Sequence, residues 1–212
     1  MLERSARMDQ KTHPNETPID ICGDLTQFFH EVVVSVRQRR SYVTTSTAES
    51  YIAGLLADHA HPGEELHEFD KPLTLQLAQA LNAVGNERFS RLRRVGDGVL
   101  YTTGFFGEYL ESRGIDQTYF EELGARAYAT AGRMLILDRT EQNGLFVELA
   151  EQFHMFVALV HEVAESLRVV AARTEQALVQ LYERWLNSGS EALAVGLATH
   201  GLVPIRGNRT LQ

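Results

Sequence analysis

The chain has 212 residues, 20 Lys and Arg against 28 Asp and Glu, one Cys and 44% hydrophobic residues. That length holds one sizeable core, or two small ones, without disulfides or a structural metal. A formal charge of −8 argues against a dedicated nucleic-acid binder, and no stretch approaches the roughly 18 apolar residues of a membrane span.

Cys22 is alone and cannot close an intramolecular disulfide, so a reducing cytoplasm is the default compartment. The opening MLERSARMDQ is charged and lacks the apolar run of a secretory signal. Lys11 and Lys71 are the only lysines. Nearly every cation is therefore an arginine, with its capacity for bidentate contacts.

Residues 1–20 are polar and aperiodic and contain Pro14 and Pro18, which predicts a disordered arm. Helical signals then follow one another through a predicted domain over 21–200. Asp24 and Gln27 read as an N-cap pair before the stripe Leu25, Phe28, Phe29, Val32, Val33 and Val36. That helix closes on Arg37, Arg39 and Arg40, cations where the helix dipole favours them.

Ser46 and Glu49 form a capping box before Tyr51, Ile52, Leu55 and Leu56, and His61-Pro62-Gly63 stops that helix. Asp70 caps a third helix, with Pro72 in its first turn and Gly85 at its end. Its inner face is Leu73, Leu77, Ala80, Leu81 and Val84. The fourth segment sets Phe89, Leu92, Gly96, Val99, Thr103, Phe106 and Leu110 at steps of three and four. Its glycines, Gly96, Gly98, Gly104 and Gly107, predict a bend or a close approach.

Thr118 and Glu121 box a fifth helix through Tyr119, Leu123, Ala127, Ala131 and Met134. After a polar turn over 138–144, Phe146, Leu149, Phe153, Phe156, Val160, Val163, Leu167 and Val170 predict a long central helix over 145–173. The pattern either continues through Leu178, Leu181 and Trp185 to 187 or breaks at Thr174. A last short helix, capped near Ser188 or Ser190, ends at Gly201. Beyond it, 201–212 is an extended tail whose apolar residues call for a groove. Strand patterns are confined to Tyr42–Thr45 and Leu202–Ile205, too short for a sheet. The fold class is all-α, a single-domain bundle of about seven helices.

Four segments carry candidate chemistry. On the long helix, Glu151, His154, His161 and Glu165 fall on one stripe as a candidate metal site. Glu151 to His154 has the Glu-x-x-His spacing of helical di-iron proteins, and imidazole with carboxylate suits Fe, Zn or Mn. There is no second Glu-x-x-His, however. At about 100° per residue the stripe lies opposite the apolar seam, so a solvated polar face, or a face packed on a neighbour with satisfied histidines, is the plainer explanation.

Asp58, His59 and His61, with Glu64, Glu65 and His67, form a His-rich segment that matches no defined ligand motif. Arg88, Arg91, Arg93 and Arg94 are a basic cluster able to receive a phosphate, a nucleotide or an acidic partner. Surface ion pairs with Glu87, Asp97 and Glu108 are the competing use of the same cations. The Gly-rich run 96–107 is no phosphate loop, since it lacks the terminal Gly-Lys-Ser/Thr and a preceding strand. It provides close packing or space for a ligand, and haem with His30 or His154 as axial ligand is one option. Asp97, between two glycines, is the residue packing explains least. Arg88, Arg91, Arg94, Asp97, Tyr101 and Tyr128 form the candidate ligand-binding set.

At Lys71-Pro72-Leu73, Glu87-Arg88-Phe89, Gly96-Asp97, Gly104-Phe105-Phe106, Asp116 with Tyr119, and Ala127-Tyr128, the chain resembles a family of uncharacterised bacterial helical proteins. The resemblance covers about residues 48–135. It implies a soluble, bacterial, helical protein and carries over no catalytic residue.

The expected function is a non-enzymatic interaction or regulatory protein of the cytoplasm. It would act as a homodimer or with another protein, without cofactor, membrane or nucleic acid. A helical metal- or haem-binding protein using the Glu/His stripe (with Fe, Zn or haem) is the alternative. A small-molecule pocket near Asp97, Tyr101 and Tyr128 is the third reading.

Overall fold

The computed structural model describes residues 21–60, 72–137 and 143–205. These form nine α-helices and no strand. In chain order they are α1 (Ile21–Arg40), α2 (Ser46–Ala60), α3 (Leu73–Asn82), α4 (Gly85–Ser112), α5 (Gln117–Leu137), α6 (Asn143–Glu151), α7 (Phe153–Ala171), α8 (Glu175–Ser188) and α9 (Glu191–Thr199). Among the described residues no helix is long and apolar enough to cross a membrane. The N-terminal arm, the segment from His61 to Lys71 with Asp70, and the end of the tail lie outside the described residues.

The two helices beyond the expected seven come from the segment predicted as one long helix. The backbone leaves helical geometry at Gln152 (φ −110°, ψ 25°), dividing α6 from α7. The apolar seam survives the break, because Phe146, Leu149, Phe153, Phe156, Val160 and Val163 are all buried. What the break changes is partnership: α6 packs on α5 and α2, while α7 packs on α4, α9 and α1. The seam ends with α7, where Val170 is exposed. Thr174 then starts α8 by accepting the Ala177 amide at 3.2 Å, so the pattern does stop at Thr174.

Several caps sit away from their predicted places. Thr45, rather than Ser46, accepts the Ala48 amide at 3.2 Å. The Glu148 carboxylate on α6 takes the Thr45 N–H at 2.9 Å and both threonine hydroxyls, Thr44 at 2.7 Å and Thr45 at 2.6 Å. The start of α2 is thereby tied to α6. Glu49, read as half of a capping box, instead pairs with Arg37 at 2.7 Å and is buried. Asp116 accepts the Thr118 amide at 2.9 Å and so caps α5 in place of Thr118. Helix α1 begins at Ile21, so Asp24 lies within it rather than at its cap. At the end of α9, Gly201 adopts φ +79° and Leu202 N–H reaches Leu197 C=O at 2.9 Å, a Schellman closure.

Helix α4 runs through the middle of the bundle, against α2, α3, α5 and α7. It is one helix with a kink at Phe106 (φ −120°, ψ 18°). That kink turns Phe106, a seam position by spacing, out to solvent. Carbonyls around it are taken by side chains: Arg168 donates to Phe105 O at 3.2 Å and Gln117 to Gly107 O at 2.6 Å. A main core joins α1 through α7. A smaller cluster of Ala172, Leu181, Trp185, Leu193 and Leu197 holds α8 and α9.

Candidate functional site

The richest chemistry lies where α2, α3 and α4 meet. A cleft of about 550 Å³ opens there. Helix α2 supplies Ser50, Tyr51, Gly54, Leu55, Asp58 and His59 to its walls. Helix α4 supplies Phe89, Ser90, Arg93, Arg94, Asp97 and Gly98, and α3 supplies Gln76. The α4 residues 90, 93, 94 and 97 fall on one face because they are three or four apart.

Asp97 is the hub of this cleft. Its Oδ1 accepts the Tyr51 hydroxyl at 2.5 Å and the Tyr128 hydroxyl at 2.7 Å, and its Oδ2 meets Arg93 Nε at 3.3 Å. Arg93 Nε also donates to the Tyr51 oxygen at 3.0 Å, and its guanidinium lies over the Tyr51 ring, 5.4 Å from the centroid. One carboxylate therefore joins α2, α4 and α5. Gly96 makes the arrangement possible, because a Cβ there would stand 2.5 Å from Tyr128 Cε1.

Burial raises the Asp97 carboxyl above its ordinary value; the two tyrosine hydroxyls and Arg93 oppose that rise. Burial, and then the charge of Asp97, push the Tyr51 and Tyr128 phenols well up. Both therefore remain neutral donors at physiological pH. For Arg93, burial works against the charge, but Tyr51 and Asp97 outweigh it and hold the guanidinium above its ordinary value. The result is an exposed, oriented cation beside a buried acid that grips two hydroxyls.

His59 extends the cleft. Its Nδ1 donates to Leu55 O at 2.8 Å, which leaves Nε2 as the acceptor of the neutral ring. The ring stacks on Tyr101 at 4.2 Å between centroids, and Tyr101 stacks on Phe105 at 4.9 Å. An aromatic ladder thus leads away from the cleft along α4.

Comparison with protein-family models, with curated proteins and with solved structures finds no match to this chain. What the cleft can do is read from its own side chains.

Of the six residues expected to bind a ligand, Arg94 and Asp97 line the cleft. Tyr128 is fully buried beneath it on Asp97, and Tyr101 reaches it through His59. Arg91 does not reach it; it pairs with Glu87 at 2.6 Å and lines a shallow hollow with Gln79 and Asn82. Arg88 does not line the cleft, and its Nε is buried without a partner among the described residues. His59 comes from the His-rich segment, whose His61, Glu64, Glu65 and His67 lie outside the described residues.

The four residues of the expected metal stripe do not form one group. Glu151 is exposed on α6, ahead of the break. His154 pairs with Glu121 at 2.8 Å. His161 and Glu165 come together with Glu108 from α4 instead. The stripe divides: Glu151 and His154 are exposed, while His161 is half-buried and Glu165 is packed against neighbours with no exposed surface. Helix α7 has neighbours around its girth, and a helical wheel drawn for one apolar seam misses that. His30 lines neither this cleft nor the one beside His161.

Sequence reasoning missed Tyr51, which reads as one more apolar position of α2. It also left Arg93 out of the site, although it flagged the arginine cluster. Their roles depend on α2 docking against α4, a contact spanning some 46 residues, and no local pattern encodes it.

Proposed function

We propose that the chain is a helical ligand-binding protein of regulatory, non-enzymatic type. Its α2–α3–α4 cleft receives a small polar molecule through a phosphate monoester or carboxylate group. The observation that carries this reading is the network of Arg93, Tyr51, Asp97 and Tyr128 at the cleft floor. A guanidinium held over an aromatic ring and already oriented by a carboxylate is a prepared donor for an anion.

Arg94, Ser50, Ser90 and Gln76 add donors around it, while Asp58 and the acceptor nitrogen of His59 suit a hydroxyl or amine on the ligand. An anion bound at Arg93 draws on the same donors that hold Asp97. Occupancy is thereby linked to the junction of α2, α4 and α5, and that link is the basis for a regulatory rather than a passive role. The segment resembling the bacterial helical family, about 48–135, includes all three cleft-forming helices, and we carry over from it no activity.

Thermal unfolding of the full chain with a panel of phosphate monoesters, nucleotides and dicarboxylates tests the proposal. A ligand at 100 times its Kd adds about 2.7 kcal/mol to folded stability. At least one chemical class is expected to raise Tm in the wild type and to lose that effect in Arg93→Ala. A panel without effect, or an equal rise in both proteins, overturns the reading.

A second reading, self-association through α8, rests on its outer face. Val179 and Leu186 are exposed there at i and i+7, with Tyr182 between them donating to Ile205 O of the tail at 3.3 Å. An apolar stripe continued by an apolar tail suits a second copy of the same chain. Sedimentation equilibrium is expected to give a dimer that Leu186→Glu converts to monomer; a wild-type monomer at all concentrations contradicts it.

A further inference from the structure

Further along α4 than the cleft, the α4–α7 contact carries a second cluster, independent of the anion-binding reading. Glu108 on α4 and His161 and Glu165 on α7 each bring one carboxylate oxygen or imidazole nitrogen within 4.8 Å of the other two. His161 and Glu165 are four residues apart, stacked on one face of α7. Glu108 faces them because Gly104, one turn earlier, lets α4 settle onto α7: a Cβ there would stand 2.4 Å from Val160 Cγ1.

Glu165 points to a ligand that these side chains do not supply. It has no exposed surface. Its Oε1 takes Arg168 at 2.5 Å and Arg184 at 2.8 Å. Its Oε2 is buried with no partner among the described residues. A buried carboxylate oxygen left without a donor costs stability, and a cation removes that cost. Arg184 also holds Glu108 by Oε2, at 2.7 Å. One guanidinium thus fixes one oxygen of each carboxylate and leaves the other oxygen of each available, as outer partners do for metal ligands.

We propose that Glu108, His161 and Glu165 bind one divalent transition-metal ion. One imidazole with two carboxylates suits Zn(II), Mn(II) or Fe(II) better than Ca(II) or Mg(II), which favour all-oxygen sets. The ion has a way in. Glu108 and His161 line an open cleft of about 500 Å³ that also carries Glu111, Glu121 and Glu162. Glu162 is held by Arg40, which lines the same cleft, while Glu111 and Glu121 add negative charge that favours a cation.

Calorimetric titration of the full chain, stripped with EDTA and dialysed, with Zn(II) and with Mn(II) tests this site. His161→Ala and Glu108→Gln are the test variants. Both positions are half-buried at the cleft edge, and circular dichroism checks that each variant is folded. His154→Ala is the control, since His154 is exposed and paired with Glu121. The expected result is one ion per wild-type chain, an affinity loss of about 10-fold or more in both test variants, and no change in the control. The bound ion should also raise Tm in the wild type and not in His161→Ala. Absence of saturable binding for both metals, or equal affinity in His161→Ala and the wild type, overturns the proposal.

Discussion

Asp97 sits between two glycines, and the smallness of Gly96 is what brings the Tyr128 ring against the helix beside it. The carboxyl is raised from its ordinary 3.8 by burial, against the pull of Tyr51, Tyr128 and Arg93. A carboxyl that holds its proton more tightly in the folded chain than in the unfolded one contributes stability at low pH. That contribution is lost as pH rises through the folded value. Asp97→Asn keeps an acceptor oxygen for the two phenols and carries no charge. The unfolding free energy of the wild type minus that of Asp97→Asn is therefore expected to fall as pH rises from 3.8 toward neutrality. Urea unfolding at a series of pH values measures it, and a difference that is flat or rising contradicts the assignment. The sequence marks Asp97 as a residue without a packing role. It does not reveal Tyr51, whose hydroxyl matters only once α2 lies across α4.

At the level of elements, apolar spacing located the helical segments but not every division between helices. Leu149 and Phe153 keep one seam across Gln152, so periodicity alone reads a single helix where the backbone makes two. No Gly or Pro marks the break, and the main contacts on its two sides differ: α6 packs chiefly on α5, α7 chiefly on α4. The acids show the same limit. Glu49 and Glu165 read as a cap and an outer-face residue, yet both are buried on arginines: Arg37, and Arg168 with Arg184. Each pair links positions remote in sequence or crowded by a neighbouring helix, which a helical wheel does not represent. The glycines of α4 behave as the sequence suggests for close packing, and that can be measured. Gly96→Ala is expected to destabilise by about 1–3 kcal/mol through the rigid, fully buried Tyr128 ring, despite the roughly 1 kcal/mol that Ala gains over Gly within a helix. Gly54→Ala on α2 meets nothing within 4 Å and is expected to stabilise by up to about 1 kcal/mol. Chemical denaturation of the two variants distinguishes packing from propensity, and a stabilised Gly96→Ala would refute the tight α4–α5 contact.

Over the whole molecule, α4 separates two kinds of chemistry. Its first half carries Arg93, Arg94 and Asp97 into the cleft shared with α2 and α3. Its second half, past the kink at Phe106, carries Glu108 to α7. The net charge of −8 conceals this division, since the cleft sets Arg93 and Arg94 against Asp58 and Asp97, while glutamates outnumber arginines in the cleft beside α7. The proposed anion site lies on the first half, at Arg93. A set of amide correlation spectra, recorded on the full chain during titration with a small phosphate monoester, tests it most directly. Saturable shifts are expected, concentrated in residues 50–59 of α2 and 89–98 of α4, transmitted to Tyr128 on α5 and abolished by Arg93→Ala. Shifts absent at millimolar ligand, or scattered over the surface and unchanged in Arg93→Ala, would contradict it.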